Sequence, residues 1–367
     1  MARIARVEVI PFSVPIEEFA DAYTGFTASN AVLVKLESDD GVVGYGEACA
    51  WEPEFYGETL ESVTSTLEKY VAPKILDRDP LQIGKILSVV DAALARATCV
   101  KEGVDLALHD LVGKLLGVPV YVLLGGAFRD RIPVASEIGI ASPEDMASNA
   151  LRVCNLGFRV IKIKGSADAQ MDVQRVRAVR EAVGPSIDLR LDPNAAWTTT
   201  DAIRATRQLE ECDLQLLEQP VPGHDYAGMA YIRKKTFVPL MADEGIWSPE
   251  DVIRLREAKA ADIANIKIAK SGGVARGKQI ETVAKAAGLS SIVGTEVEPG
   301  FSLVAKLHLA ASFARHDLAS EFTEISLLKK NVLAWSPEIV DGELQVPQGP
   351  GFGVDLDEDE FDNCRLR

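Results

Sequence analysis

Three acidic residues each end an apolar segment of the chain. Asp192 ends "SIDLRLD", Glu218 ends "LQLLE" and Asp243 ends "VPLMAD", at intervals of 26 and 25 residues. If these segments are neighbouring parallel strands, the three carboxylates converge, and they repel one another unless a cation neutralises them. Because the set offers oxygen ligands only, it predicts a Mg²⁺ site in which Mn²⁺ can substitute. The alternative is that each acid caps the helix after its strand.

Lysines lie beside these acids in the predicted arrangement. Lys162 and Lys164, in "FRVIKIK", point to one face of a strand, where a buried ammonium needs a charged partner. Lys267 follows "IANI", so lysines flank the acids from two sides. We predict that Lys162 and the metal lower the pKa of Lys164 towards neutrality, which makes Lys164 a general base. Alternatively, Lys162 pairs structurally with a carboxylate, and Lys270 is interpreted as a solvated residue at a helix start.

The acids and lysines belong to a series of eight short apolar segments. Segments with helical spacing separate them, for example "MDVQRVRAVREAV", and this alternation is typical of a parallel sheet built from βαβ units. Eight strands over roughly 190 residues predict a (β/α) barrel, whose active site lies at the carboxyl ends of the strands. An open sheet is disfavoured because the chain has no glycine-rich dinucleotide turn. The segments are "PVASEIGI", "FRVIKIK", "SIDLRLD", "LQLLE", "VPLMAD", "IANIKIA", "LSSIVGT" and "DLASEF".

The region before the barrel has a different pattern. Residues 1–47 alternate apolar and polar positions in three stretches with a turn at Asp39-Asp40-Gly41, which predicts an antiparallel meander. Apolar residues at three-to-four spacing predict helices over 58–77, 80–96 and 100–116. The chain therefore begins with an α+β region.

The charge and cysteine content limit the partners and the location of the protein. With 39 Lys and Arg against 55 Asp and Glu, the net charge is −16, so nucleic acid and anionic membrane are not expected as partners. The sequence has no apolar run long enough to span a membrane, and it starts like a strand rather than a signal peptide. Scattered cysteines without CxxC spacing indicate a reduced, cytoplasmic protein. They are Cys49, Cys99, Cys154, Cys212 and Cys364.

Several short motifs together resemble the enolase superfamily, in its muconate-lactonizing-enzyme subgroup, also called the mandelate racemase/muconate lactonizing enzyme family. The motifs are "KIK" at 162–164, "DPNAAW" at 192–197, "EQP" at 218–220, "ADEG" at 242–245 and "KIAKSGG" at 267–273, with "LVGKLLGVPVYVLLGG" at 111–126. The resemblance implies an α/β fold, a (β/α)7β TIM-like barrel with an N-terminal α+β capping domain that the C-terminal segment completes. The expected boundaries are 1–128 for the cap, 129–325 for the barrel and 326–367 for the segment that returns to the cap.

The same resemblance implies roles for the candidate site residues. Asp192, Glu218 and Asp243 would hold Mg²⁺, which binds the substrate carboxylate, while Lys164 and Lys267 would act as acid/base catalysts on opposite faces with Lys162 beside them. The metal would stabilise the ene-diolate formed when the α-proton leaves. Groups expected to support the ligands or contact the substrate are Asn194, Glu244, Glu298 and Glu321.

Two cap loops, 15–30 and 50–59, are expected to choose the substrate. Neither contains Lys or Arg, and both combine acids with aromatic residues. An aromatic and acidic cap favours a carboxylate substrate that bears a nitrogen, such as a cyclic amino acid, a betaine or another amino-acid derivative. The alternative is that the aromatic residues only pack the closed lid. The expected specificity residues are Asp21, Tyr23, Phe26, Trp51, Phe55 and Tyr56.

The predicted function is a metal-dependent racemase or epimerase, because two opposed lysines suit proton removal on one face and return on the other. A muconate-type cycloisomerase and a β-elimination dehydratase are the enzymatic alternatives, since fold alone does not select the reaction. The remote alternative is a non-catalytic binding barrel. The eighth segment reads "SEFTE" and lacks the DxD motif with which dipeptide epimerases hold an α-ammonium. The resemblance also implies a homo-oligomer, from dimer to octamer.

Overall fold

The structure, a computed structural model, describes residues 2–50 and 53–366, without the side chain of Glu54. The first part of the chain is a three-stranded antiparallel sheet in the order β1-β2-β3, followed by helices. The predicted meander is therefore confirmed. The strands are β1 Ile4–Ala20, β2 Gly25–Ser38 and β3 Val43–Cys49, and the helices are α1 Pro53–Tyr56, α2 Leu60–Thr66, α3 Ala72–Ile75, α4 Ile83–Ala93, α5 Thr98–Leu116 and α6 Val120–Leu123. A π-helical turn, Leu67–Val71, joins α2 to α3.

Helix α5 fixes the cap on the barrel. It packs against β3 so closely that a Cβ atom at Gly46 would lie 2.2 Å from the carbonyl oxygen of Gly103, which explains why glycine occupies this position of the strand. On its other side, the Asp105 carboxylate accepts hydrogen bonds from the backbone N–H groups of Val274 and Ala275 in the barrel. Because α5 packs against the cap sheet on one side and the barrel on the other, nearly all of it is buried.

All eight predicted barrel segments are strands. They are parallel in the order β10-β9-β8-β7-β6-β5-β4, with β11 beside β4. The backbone N–H of Val293 on β10 donates to Ser320 Oγ on β11, 2.9 Å away. This contact joins β10 to β11, which in turn pairs with β4. The strands are β4 Arg131–Ile138, β5 Val160–Lys164, β6 Asp188–Asp192, β7 Leu214–Glu218, β8 Leu240–Ala242, β9 Ile263–Ile266, β10 Ser290–Val293 and β11 Ser320–Glu321.

Helices follow the barrel strands, as the alternating pattern predicted. They are α7 Pro143–Asn155, α8 Ala169–Val183, α9 Thr199–Gln208, α10 Tyr226–Arg233, α11 Pro249–Ala258, α12 Ile268–Ser271, α13 Val274–Ala286, α14 Phe301–Ala311 and α15 Glu324–Leu327, with a 3₁₀ turn at Glu210–Cys212. Among the helices of the described chain, none is long and apolar enough to cross a membrane.

The C-terminal segment runs back to the cap. It contains β12 Ile339–Val340, β13 Glu343–Gln345 and α16 Glu358–Cys364. Strand β13 pairs antiparallel with β4 of the barrel, and the last described residue, Leu366, donates its backbone N–H to Pro11 on β1. The rings of Phe12 and Phe361 lie 5.2 Å apart at this contact. The boundaries 1–128, 129–325 and 326–367 stay a prediction.

A buried histidine makes the stability of this fold depend on pH. His308 on α14 accepts a hydrogen bond from Tyr121 N–H through Nδ1, and its Nε2 contacts the Phe352 carbonyl at 3.1 Å. Burial lowers the pKa of His308 to about 4, which the Phe352 bond only partly offsets. The unfolded chain binds a proton at His308 near pH 6.5, whereas the folded protein does so only near pH 4. The contribution of neutral His308 to the free energy of unfolding is therefore fully present above pH 6.5 and falls by up to about 3 kcal/mol towards pH 4.

We expect His308→Gln to reduce this pH dependence, because the amide can donate to Phe352 but does not titrate. Urea unfolding at pH 7, 6, 5 and 4.5 measures the slope of the unfolding free energy. His224→Gln, at an exposed histidine, is the control and should leave the slope unchanged. Equal slopes for the protein and the His308 variant would contradict the prediction.

Candidate active site

The three predicted acids lie together at the carboxyl ends of neighbouring strands. Asp192 and Glu218 are the last residues of β6 and β7, and Asp243 directly follows β8. All three side chains are fully buried. The alternative that they cap the next helices is wrong, because α9, α10 and α11 are capped by other side chains. Those caps are Thr198, Asp225 and Ser248.

Lys162 lies beneath the three acids and forms ion pairs with Asp192 and Glu218. It is fully buried, and four carboxylates surround its ammonium group. The distances from Nζ are 2.6 Å to Glu137, 2.9 Å to Glu218, 3.1 Å to Glu321 and 3.3 Å to Asp192. Burial alone would lower the pKa of Lys162, but the four acids raise it well above its usual value. The structural pairing considered for Lys162 is therefore present.

Lys164 and Lys267 flank the acids from opposite sides of the ring. Their strands, β5 and β9, are four positions apart in a ring of eight. Lys164 Nζ lies 2.9 Å from Asp192 Oδ2, and Lys267 Nζ lies 2.9 Å from Asp243 Oδ2 and 2.7 Å from Glu296 Oε1. Both lysines line the same cavity at the barrel mouth, as predicted for two catalytic groups acting on one substrate.

The predicted depression of the Lys164 pKa depends on a bound divalent cation and stays a prediction. Burial of Lys164 lowers its pKa, but the carboxylates of Asp192 and Glu137 outweigh burial and raise the pKa above the usual lysine value. The prediction relied on a divalent cation that shares these acids. In the protein alone, lysine ammonium groups neutralise them instead.

Lys270 is buried, so its interpretation as a solvated residue is wrong. Its ammonium group donates to the backbone carbonyls of Asp243 and Asn265, at 2.6 and 3.3 Å, and it forms an ion pair with the Asp243 carboxylate. Helix α12 begins directly after Lys267, and a spacing of three residues turns both lysines inward. Burial would raise the pKa of Asp243, but Lys267 and Lys270 hold it below its usual range.

Aromatic cap residues cover the mouth and contact the segment after β8. The Tyr23 hydroxyl donates to Glu244 Oε1 at 2.9 Å. The Phe55 ring stacks on Trp247 with 5.5 Å between centroids and covers Lys267 Nζ at 5.3 Å. Residues 244–247 are thus a platform on which both cap loops rest.

The other predicted cap residues have mixed placements. Asp21 lines the cavity, but its Oδ1 accepts the backbone N–H groups of Tyr23 and Thr24. Tyr56 packs against Phe55 and Trp247, and Phe26 packs against the apolar cluster around Phe19. Trp51 lies outside the described residues. Tyr23 and Phe55 line the cavity as well as packing the lid, whereas Phe26 and Tyr56 pack the lid. The role of these residues in specificity stays a prediction.

The four supporting residues divide between the cavity and its surroundings. Asn194 lines the cavity, and Glu244 contacts the cap. Burial and the nearby Asp243 and Asp192 raise the pKa of Glu244 to about 7. Glu321 lies beneath the mouth against Lys162. Glu298 accepts from Lys306 at 2.7 Å and from the hydroxyl of Thr295, which itself lines the cavity, at 3.1 Å.

Two acids were not assigned a role from the sequence. Glu137, near the end of β4, contacts Lys162 and lies 3.7 Å from Lys164 Nζ, while Glu296 pairs with Lys267. Both line the cavity. An acid near the end of a barrel strand is the same signal that identified Asp192, and it was present for both residues.

The donor set fits Mg²⁺, although the acids face lysines in the protein alone. Within residues 2–50 and 53–366, no Asp, Glu, His and Cys side chains form a ready-made group of three ligands. In the described part of the chain, Glu218 Oε2 and Asp243 Oδ2 accept no hydrogen bond, and the ammonium groups of Lys162 and Lys267 lie 2.9 Å from them. Burial raises the pKa of Glu218 well above its usual value, even with Lys162 beside it. Oxygen atoms that lack aligned donors are suited to a hard cation.

The protein is a capped (β/α) barrel with buried acids and lysines at its mouth, which is the architecture of a barrel enzyme. Residues 4–125 match the family model described as mandelate racemase / muconate lactonizing enzyme, N-terminal domain, and residues 145–360 match the one described as enolase C-terminal domain-like. The chain belongs to the enolase superfamily, in its muconate-lactonizing-enzyme subgroup. The resemblance and the fold class predicted from the sequence are confirmed.

Relatives are isomerases that match nearly the whole chain. N-succinyl-L-Arg/Lys racemase of Bacillus cereus is 32% identical over 364 residues, 97% of this chain and 96% of the racemase; its structure superposes with a TM-score of 0.94, 31% identity and coverage of 100% and 98%. Muconate cycloisomerase 1 of Rhodococcus opacus is 32% identical over 360 residues, 97% of this chain and 96% of the cycloisomerase.

A third relative contains the expected metal. The dipeptide epimerase of Enterococcus faecalis, solved with Mg and the dipeptide L-Leu-L-Tyr, has a TM-score of 0.90 and 31% identity, and covers 96% of this chain and 99% of its own. Enzymes of this superfamily bind Mg²⁺ and act on small molecules. The chain is accordingly an isomerase of the superfamily.

Proposed function

We propose that the protein racemises or epimerises an N-acyl amino acid, within the amino-acid derivatives predicted from the sequence. The observation that carries the proposal is that Lys164, at the end of β5, and Lys267, directly after β9, lie four strand positions apart and line one cavity. Such a pair can remove the α-proton on one face of a carbon atom and return a proton on the other.

Asp192, Glu218 and Asp243 would hold Mg²⁺ in this reaction. The bound ion supplies charge stabilisation for the substrate carboxylate while the α-proton is absent. Lys162 fixes the carboxylates from below, since its ammonium contacts two of the three. Phe55 covers the ammonium of Lys267 and thereby excludes water from one of the two acid/base groups.

The strand-eight residues favour an acylated nitrogen over a free α-ammonium. Glu321 is engaged by Lys162, and the Thr323 hydroxyl accepts the backbone N–H of Glu137 at 3.0 Å. Neither group is therefore directed at a substrate ammonium, which agrees with the missing DxD motif. Similarity to an N-succinyl-L-Arg/Lys racemase supports the same choice.

A second cavity supports an extended substrate. It has a volume of about 530 Å³ and adjoins the catalytic cavity, with which it shares Phe19 and Glu137 as lining residues. Its other walls include the acids Glu17 and Glu18 and the base Arg152. A compact cyclic amino acid or betaine would leave this space unused, whereas the acyl group or side chain of an N-acyl amino acid is long enough to extend towards it.

A muconate-type cycloisomerase is the second candidate, because muconate cycloisomerase 1 has the same identity to this chain as the racemase. The cap loops carry no Lys or Arg that could hold a second substrate carboxylate, so this reaction is less well supported. The proposal also includes Mn²⁺ as a substitute metal, a homo-oligomeric state and a cytoplasmic location.

Proton NMR in D₂O with Mg²⁺ tests the substrate class. The purified protein is offered pools of N-succinyl and N-acetyl amino acids, cyclic amino acids and betaines, dipeptides, and muconate. We expect the α-proton signal to disappear only in N-acyl amino acids, together with loss of optical rotation. The double variant Lys164→Ala, Lys267→Ala is the control and should exchange nothing.

Other outcomes of this screen select other functions. Lactone formation from muconate, without exchange in the amino-acid pools, would establish the cycloisomerase. Exchange in dipeptides or betaines alone would reject the N-acyl assignment. No turnover of any pool would favour a non-catalytic barrel.

A further inference from the structure

Gln219 follows Glu218 directly and connects the three strand ends that carry the acids. Its side chain is 1% exposed. Gln219 Oε1 accepts hydrogen bonds from the backbone N–H groups of Asp243, at 3.0 Å, and Gly245, at 3.2 Å. Gln219 Nε2 donates to the Val221 carbonyl at 2.8 Å. All the polar atoms of this amide therefore serve backbone groups at the barrel mouth.

The backbone of Gln219 extends the connection to the turn after β6. The Gln219 carbonyl accepts the N–H of Ala195 at 2.7 Å, and the Gln219 N–H donates to Met241 on β8 at 2.9 Å. The same turn begins at Asp192, three residues before Ala195, and the Asp192 carboxylate accepts the N–H of Asn194. One residue thus links the turns that follow β6, β7 and β8.

These turns adopt a backbone conformation that they would not hold by themselves. Gln219 has φ of 25°, and Asn194 and Ala195 have φ of 45° and 61°. Residues other than glycine rarely occupy this region, so surrounding contacts must maintain it. The hydrogen bonds of Gln219 supply such contacts for each of the two turns.

We propose that Gln219 is a positioning residue that sets the mutual arrangement of Asp192, Glu218 and Asp243 for a divalent cation. It touches neither cation nor substrate. An amide suits this role, because one side chain both accepts hydrogen bonds from backbone N–H groups and donates one to a backbone carbonyl. The inference rests on the metal dependence in the proposed function but not on the identity of the substrate.

Titration of the purified, metal-stripped protein with Mg²⁺ alone, followed by calorimetry, tests this role without substrate. Gln219→Met keeps the size of the side chain and removes its hydrogen bonds, and we expect it to weaken Mg²⁺ binding at least tenfold. Gln219→Glu keeps an oxygen that accepts the N–H groups of Asp243 and Gly245 but loses the donor to the Val221 carbonyl, so we expect its affinity to fall by less than tenfold.

Arg180→Met is the matched control for a merely structural effect. The Arg180 side chain also donates to backbone carbonyls, those of Cys212, Gly184 and Ile187, but it ties β6 and β7 at their amino ends. This variant should lose thermal stability and keep the Mg²⁺ affinity within twofold.

The outcomes separate the inference from the proposed function. An affinity of Gln219→Met within twofold of the unaltered protein overturns the inference. Tenfold weaker binding by Gln219→Glu also overturns it, and this variant decides the question if the methionine variant does not fold. Absence of Mg²⁺ binding by the unaltered protein overturns the metal site itself, and the inference with it.

Discussion

Replacing Lys164 by alanine is expected to abolish α-proton exchange with D₂O for one stereoisomer of the substrate and to preserve it for the other. Lys267→Ala should show the opposite selectivity. Each ammonium reaches the cavity from its own side of the ring, so the remaining lysine can still remove and return a proton on its own face. Racemisation needs both faces and should fall roughly 10³-fold in either variant. Proton NMR on the separate stereoisomers measures exchange, and polarimetry measures racemisation.

Lys278→Ala controls for the loss of a paired lysine outside the site. Lys278 on α13 lies 2.9 Å from Glu281 Oε2 and donates to the Ser312 carbonyl at 2.6 Å, far from the mouth. This variant should exchange and racemise like the unaltered protein. If each catalytic variant loses exchange of both stereoisomers equally, the two lysines do not serve separate faces and the two-base reaction is wrong.

Regular alternation made most of the fold and the acid/base set predictable. A barrel strand is short, and its last residue is the one at the mouth. The position of Asp192 and Glu218 at the ends of apolar segments was therefore enough to predict that both lie at the site. The same rule placed Lys162 and Lys164 on one face, because side chains alternate along a strand.

Contacts between distant parts of the chain were not predictable in this way. Tyr23 and Glu244, which form a hydrogen bond, are separated by 221 residues, and no local pattern indicates which cap residue meets which barrel turn. Lys270 was misjudged for a related reason. Its burial depends on a four-residue helix that starts immediately after a strand, and propensity does not predict such a short element.

Removal of divalent ions by a chelator is expected to abolish activity, and Mg²⁺ or Mn²⁺ should restore it. In Glu218→Gln, neither ion should restore more than about one thousandth of the activity, because the variant loses the middle one of three adjacent charges. The neighbouring Lys162 ammonium, 2.9 Å from Glu218 Oε2, then repels the cation with one acid fewer to offset it. Activity after metal titration and Mg²⁺ calorimetry measure the two effects.

The control for this prediction is another buried carboxylate in an ion pair. Glu281 on α13 is 3% exposed and pairs with Lys278 at 2.9 Å, so Glu281→Gln removes a comparable charge from a helix that supplies none of the acids of the mouth. It should bind Mg²⁺ and turn over substrate as before. If Glu218→Gln retained Mg²⁺ affinity within twofold, the cation would not lie on Glu218. The buried acids of the mouth would then be ion-pair partners of the lysines alone.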